Sequence, residues 1–209
     1  KYNVGIDISI LKERISLSAD FYRNITKDMI NLIPVDLITG FDYYIGNDGS
    51  FKTDGFEIDF YTRIINKKFK WDVSCNFSKY KTEVLELPVD KLVNQFYGAN
   101  ILTQKGHPLN VFYGYKTLGI FKTQQEADES GLKALMPNTD LIPFSAGDVH
   151  FVDVDENKII DENDMQIIGD PNPDFIGMFS NSFSYKGISL TAVFSFVYGN
   201  DIYNCIRRE

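Results

Sequence analysis

Residues 2–22 read YNVGIDISILKERISLSADFY. In the first half the even positions Tyr2, Val4, Ile6, Ile8 and Ile10 are apolar, opposed by Asn3, Gly5, Asp7 and Ser9. After LKER (11–14) the pattern resumes, with Ile15, Leu17, Ala19 and Phe21 set against Ser16, Ser18, Asp20 and Tyr22. A period of two sends successive side chains to opposite faces, so each run is a strand with one apolar and one polar face. The four residues between the runs leave room for a tight turn only. The stretch is a β-hairpin, and it sets the expectation for the rest of the chain.

Further segments repeat the theme. GFEIDFYTRII (55–65) sets Phe56, Ile58, Phe60 and Ile64 against Glu57, Asp59, Tyr61 and Arg63. WDVSCNFSKY (71–80) sets Trp71, Val73, Cys75 and Phe77 against Asp72, Ser74, Asn76 and Ser78. FIGMFSNSFSY (175–185) and ISLTAVFSFVY (188–198) alternate less cleanly, with Phe179, Phe183, Leu190, Phe194 and Phe196 on the apolar side. Each run is long enough to cross a bilayer at a tilt.

The connections discriminate further. LKER (11–14), NKKFK (66–70) and YKG (185–187) are tight and basic, whereas the joins at 25–54 and 81–174 are long. Short turns at one end and long loops at the other describe antiparallel strands of an outer-membrane β-barrel with long extracellular loops. A soluble meander has short loops at both ends. A soluble β-sandwich carrying a large insertion is the competing reading. A detached barrel arc would leave its apolar face open. Closure into a sandwich, pairing with a second copy, or detergent is expected to cover it.

Composition narrows the classes. The chain has 209 residues, 44% of them hydrophobic, with 12 Tyr and 17 Phe. That content suits a packed, strand-rich fold and excludes disorder. A net charge of −8 and a pI near 4.8 exclude a nucleic-acid partner, which would call for a basic stripe. Cys75 and Cys205 read as two buried thiols rather than a disulfide. No apolar run reaches the length of a membrane helix. Within the second long join, Thr123 is placed to cap a short helix with Glu126 three residues on, ending at Gly131 or Pro137. HPLNVFYGYKTLGIF (107–121) reads as extended.

The same join contains DVDENKIIDEND (153–164), and this is the candidate site. Against the pattern of a calcium-binding loop, Asp153, Asp155 and Asn157 take positions 1, 3 and 5. Ile159 offers its carbonyl at 7, Asp161 stands at 9 and Asp164 at 12. Calcium wants six to eight hard oxygens, and this alternation folds oxygens around one centre. Ile160 fills the apolar position by which such loops pin themselves to their surroundings. Lys158 stands where glycine normally permits the sharp turn, with Asn157 beside it to tolerate unusual backbone angles. Asp164 is shorter than the usual bidentate Glu, which lowers affinity. The expectation is a structural calcium ion; the competing reading is a solvated acidic loop whose side chains cap turns.

Nothing points to catalysis. His107 and His150 lack a serine or cysteine partner at recognisable spacing, and there is no phosphate loop, dinucleotide fingerprint or zinc cluster.

GHPLNVFYGYKTLGIFKT (106–123), GDVHFVDVDENKIIDENDMQIIGDPNPDF (147–175) and YGNDIYN (198–204) together resemble the SusC/RagA family of TonB-dependent outer-membrane transporters of Bacteroidetes. The earlier run from YNVGIDISI to TDGFEIDF (2–60) is similar to the family as well. Lys158 and Glu156 depart from it where glycine is usual. The resemblance implies a late portion of a plugged barrel of about 22 strands. The amino-terminal plug, the TonB-contacting segment and the earlier strands would lie outside this sequence. NCIRRE (204–209) lacks the terminal aromatic residue expected of an intact barrel. It further implies import of oligosaccharides or peptides, a SusD-like surface lipoprotein as partner, and an extracellular position for the acidic loop. A soluble calcium-dependent glycan-binding or adhesive β-domain is the alternative function.

Overall fold

The structure, a computed structural model, describes residues 1–207. In chain order the strands are β1 (Tyr2–Ile10), β2 (Ile15–Lys27), β3 (Asn31–Pro34), β4 (Tyr43–Gly46), β5 (Ser50–Asn66) and β6 (Phe69–Glu86). There follow β7 (Lys91–Phe96), β8 (Ala99–Gln104), β9 (Val111–Tyr115), β10 (Thr117–Ile120) and helix α1 (Gln124–Ser130). The short strands β11 (Lys133–Leu135), β12 (Leu141–Pro143), β13 (Val149–Phe151) and β14 (Ile159–Ile160) lead to β15 (Met165–Gly169). The chain then returns through β16 (Phe175–Tyr185) and β17 (Ile188–Tyr198). Two compact units result, the first from residues 1–92, 103–110 and 170 onward, the second from 93–102 and 111–169.

The first unit is built on one antiparallel sheet in the order β1-β2-β5-β6-β16-β17. Its register joins the alternating patterns into continuous rows. Ile8, Leu17, Phe60, Cys75, Phe179 and Phe194 pair in sequence across all six strands. One residue along, Asp7, Ser18, Asp59, Asn76, Met178 and Ser195 do the same on the opposite face. A one-residue slip of any strand would break both rows at once, so the alternation excludes odd slips and leaves the choice among even ones to the pairing of the strands.

The polar face is laced by short cross-strand bonds. The Ser18 hydroxyl donates to Asp7 at 2.6 Å, Tyr61 donates to Asp72 at 3.0 Å, and the Arg63 guanidinium meets Asp72 at 2.7 Å. The apolar face is open: Val4 is 75% and Phe194 62% exposed. The sheet neither curls into a sandwich nor joins β1 to β17. Cys75 is half-buried and Cys205 exposed, both as free thiols, so the expectation of two buried thiols fails at Cys205.

Three strands, β2, β5 and β6, run further than the alternation suggests. The long connections span 28–49 and 87–174, rather than 25–54 and 81–174. The extra length is held by charge pairing on the face that is apolar lower down. Arg23 meets Asp54, and Lys52 meets Glu83 at 2.9 Å. Charged side chains hide strand from a hydrophobicity pattern but pair well across it. The turns at 11–14, 67–68 and 186–187 share one end of the sheet, and both long connections leave from the other. Arg14 secures its turn by donating to the Arg63 and Ile64 carbonyls at 3.1 and 2.9 Å. In the first long connection β3 and β4 form a small hairpin, with Ile33 buried and the Asn31 amide donating to the Met29 and Asp48 carbonyls.

In the second unit β15, β9, β8 and β7 form a four-stranded sheet. β10 pairs with β13, while β11 lies between β12 and β14. Phe121, Ala127, Leu132 and Ile160 make its core, with Tyr115, Phe144 and Phe151 packed around them. Burying a side chain the size of Phe121 or Ile160 is worth roughly 1.5–3 kcal/mol. Helix α1 is capped as the sequence indicates. The Thr123 side chain accepts the Glu126 N–H at 3.2 Å, and Gly131, at φ +67°, ends the helix rather than Pro137. Among the described residues no helix is long and apolar enough to cross a membrane.

Candidate functional site

The acidic loop hangs between β13 and β15 and is fixed at three points in the second unit. At its entry the Val152 N–H donates to the Lys116 carbonyl at 2.9 Å. Midway, Ile159 and Ile160 pair in parallel with Lys133 and Ala134, and Ile160 enters the core. At its exit β15 pairs with β9, Met165 opposite Tyr115.

Inside this frame the carboxylates turn inward. One oxygen each from Asp153, Asp155 and Asp164 lies within 4.8 Å of the others. Asp164 is fully buried and serves as the keystone. Its Oδ1 accepts the Val154 N–H at 2.7 Å and its Oδ2 the Asp161 N–H at 2.8 Å. Asp153 Oδ2 accepts the Lys158 N–H at 2.8 Å, while its Oδ1 is shut off from solvent without a hydrogen-bond partner among the described residues. A buried carboxylate oxygen is costly to leave unsatisfied. With the neighbouring oxygens of Asp155 and Asp164 it forms the set that could hold a cation.

The remaining expected ligands behave differently. Asn157 Oδ1 accepts the Ile159 N–H at 2.6 Å, and its amide donates to Asp155 Oδ2 at 2.8 Å. Asp161 caps the short 3-10 turn 162–164 by accepting the Asn163 N–H at 2.7 Å, outside the three-carboxylate group. Ile159 sits in β14 with its backbone in the parallel pairing. Asp153, Asp155 and Asp164 thus come together, while Asn157 and Asp161 shape the loop around them.

The sharp turn is also made otherwise than expected. Positive φ falls on Glu156 (58°) and Lys158 (66°), not on Asn157. These are the two positions at which glycine was the expected residue, so the backbone keeps the bend although its side chains resist it. Tyr115 borders the loop. Burial pushes its phenol above the usual tyrosine range, and the negative charges of Glu162, Asp161 and Asp164 push it further. His150 stacks on Phe121 at 4.2 Å, a packing role, and His107 lies in a turn whose carbonyl accepts the Val84 N–H.

A second knot, in the first unit, was not read from the sequence. The Asp170 N–H donates to Asp201 Oδ2 at 2.7 Å, and the Asp201 N–H returns to the Asp170 carbonyl at 2.8 Å. Asn172 donates to Asp170 and to the Leu109 carbonyl. The segments GDPNPD and YGNDIYN, distant in sequence, are therefore tied together. The only signal for this was Asx-turn chemistry at Asp170 and Asn172.

No family model matches the chain. TonB-dependent receptor P39 of Formosa agariphila is 34% identical to it, over 96% of this chain and 22% of that receptor. TonB-dependent receptor SusC of Bacteroides thetaiotaomicron is 26% identical over 91% of this chain and 18% of its own length. Among solved structures, the RagAB peptide transporter aligns over 94% of this chain and 20% of that one, at 25% identity with a TM-score of 0.66. A RagAB importer in a 'closed-closed' state aligns over 95% of this chain with a TM-score of 0.69. The chain spans about a fifth of the length of these relatives. Sequence and fold agree: along almost its whole length the chain is similar to TonB-dependent receptors, SusC and the RagAB transporter among them, and its six-stranded sheet is a portion of an antiparallel outer-membrane β-barrel.

Proposed function

We propose that the chain forms one sector of an outer-membrane nutrient importer. The six-stranded sheet supplies wall: apolar residues toward lipid, a polar face toward the lumen, short turns toward the periplasm. Import is driven through TonB, contacted by parts of the receptor outside this sequence, and the cargo is an oligosaccharide or a peptide. A SusD-like surface lipoprotein covers the side carrying the long connections. The observation that carries this reading is the unbroken apolar row from Ile8 to Phe194, uncovered across six strands. A soluble domain could not leave so large a face open.

In the second unit the acidic loop is a calcium brace. The support is the buried, partnerless Oδ1 of Asp153 next to Asp155 and Asp164. Calcium suits a set of hard carboxylate oxygens better than magnesium, which keeps most of its waters. Its role is to order residues 153–164 outside the membrane, not to move with transport.

The test is made on the complete receptor. Membranes carrying it should release it only with detergent, and energised cells should lose uptake of their labelled oligosaccharide or peptide when the gene is deleted. Co-purification with a surface lipoprotein is expected in mild detergent. Release by salt or carbonate alone, with no uptake defect, would overturn the reading.

A further inference from the structure

The short-turn end of the sheet has a charge opposite to that of the chain. Residues 11–14, 66–70 and 185–187 hold Lys12, Arg14, Lys67, Lys68, Lys70 and Lys186 against a single acid, Glu13, in a chain of net charge −8. Arg14 is spent on backbone carbonyls. Alternation places Lys70, opposite Asn66 and Ser184, on the polar face. Lys12, Lys67, Lys68 and Lys186 remain, all exposed and without a carboxylate partner among the described residues. At the other end of the same sheet Arg23 and Lys52 are each held by an acid.

What lies beside the free lysines decides the kind of partner. On β6 and β16 the last rows of the apolar face are aromatic. Phe69 pairs with Tyr185, and Trp71 with Phe183. Phe183 stacks on both Phe69 and Trp71, at 6.2 and 5.8 Å. Lys186 Nζ stands 5.4 Å from the Tyr185 ring centroid. The Trp71 indole, amid this apolar face, donates to Asn181 at 3.1 Å. A band of aromatic rings ending in lysines is the composition of a membrane boundary. There the rings sit at headgroup level and lysines extend beyond them toward phosphate. A protein-docking patch would not need its cations confined to the rim of a lipid-facing surface.

We propose that this rim binds anionic phospholipid headgroups of the periplasmic leaflet. Short turns of outer-membrane barrels face that side. Each lysine near such a surface adds electrostatic attraction that fades within a Debye length. The four lysines then set the depth of this sector in the bilayer and hold it against the piston-like displacement that transport forces would cause. This rests on the barrel reading above, and detergent extraction of the receptor tests that reading separately.

The experiment uses the complete receptor in nanodiscs of phosphatidylcholine with or without phosphatidylglycerol, followed by native mass spectrometry of retained lipid. Phosphatidylglycerol should be enriched by roughly tenfold over phosphatidylcholine. The enrichment should shrink severalfold between low salt and about 0.5 M salt. Replacement of all four lysines (K12Q, K67Q, K68Q, K186Q) should bring it close to unity while detergent extraction is unchanged. If that receptor does not assemble, the single changes Lys68→Gln and Lys186→Gln should each lower the enrichment. Equal retention of both lipids by the unaltered receptor, or enrichment unaffected by the lysine changes, would overturn the proposal. So would a rim that captures an acidic periplasmic protein through these lysines without lipid preference.

Discussion

Asp170 and Asp201 exchange two hydrogen bonds, N–H to carboxylate at 2.7 Å and N–H to carbonyl at 2.8 Å. They stand 31 positions apart in the chain, with the whole of β16 and β17 between them. The pair closes that hairpin at its open end, where strands otherwise fray. Just inside it, the Asp174 N–H donates to the Tyr198 carbonyl at 2.9 Å. Asp201→Ala should free residues 199–204 and cost about 1–2 kcal/mol, because a charged acceptor is lost from an N–H. Asp201→Asn should retain most of that. Hydrogen exchange at the Asp170 amide is the measurement; protection unchanged in the alanine variant would contradict it.

Gly199 sits in the same closure at φ +85°, with the Asp174 side chain where a Cβ would stand. Gly199→Ala therefore meets both backbone strain and a clash. We expect a loss of at least about 1 kcal/mol, read as a lowered unfolding midpoint of the receptor. Gly187→Ala provides the control, since φ there is similarly +85° but the space is open. The difference between the two isolates the contribution of Asp174.

The calcium brace predicts a saturable calorimetric signal when calcium is added to chelator-treated receptor. Asp153→Asn combined with Asp155→Asn should abolish it. Chelation should raise protease cleavage within 153–164 severalfold and leave the strands intact, because their ladders do not involve the loop. Asp164→Ala should be worse than chelation, since it orphans the Val154 and Asp161 N–H groups at about 1–3 kcal/mol each. No heat at millimolar calcium, with proteolysis insensitive to chelator, would leave an acidic loop and nothing more.

Lys158 holds a left-handed backbone at φ +66°. Lys158→Gly should relieve roughly 1 kcal/mol of strain and remove a positive charge from the loop. Calcium affinity should rise. An unchanged or weaker affinity would mean that packing of the Lys158 stem against Gly131 outweighs the strain.

Tyr115 gives a pH signature. Its phenol is raised first by burial and then by Glu162, Asp161 and Asp164. A raised folded value means its contribution to stability is present below the usual tyrosine range. It is lost as pH climbs through the raised value. Difference spectra against Tyr115→Phe should show ionisation later than free tyrosine, and Glu162→Gln should bring it earlier. Ionisation at the ordinary position would contradict the burial.

The sequence by itself determined the strands, their faces and the short turns, because period-two alternation is a local property that each run states independently. It also named helix α1 with its Thr123 cap, for the same reason. Tertiary structure decided where strands end. The outer thirds of β5 and β6 are charged, and they become strand through Arg23–Asp54 and Lys52–Glu83 pairing, which alternation does not reveal. It likewise decided which acidic residues converge. Spacing offered Asp161 and Asp164 alike, but the turn at 162–164 uses Asp161 as a cap and buries Asp164 beneath Asp153 and Asp155. The Asp170–Asp201 closure and the gathering of lysines from three separate turns share that origin. Each depends on residues brought together by strand register, and register is a property of pairs of strands, written in no single one of them.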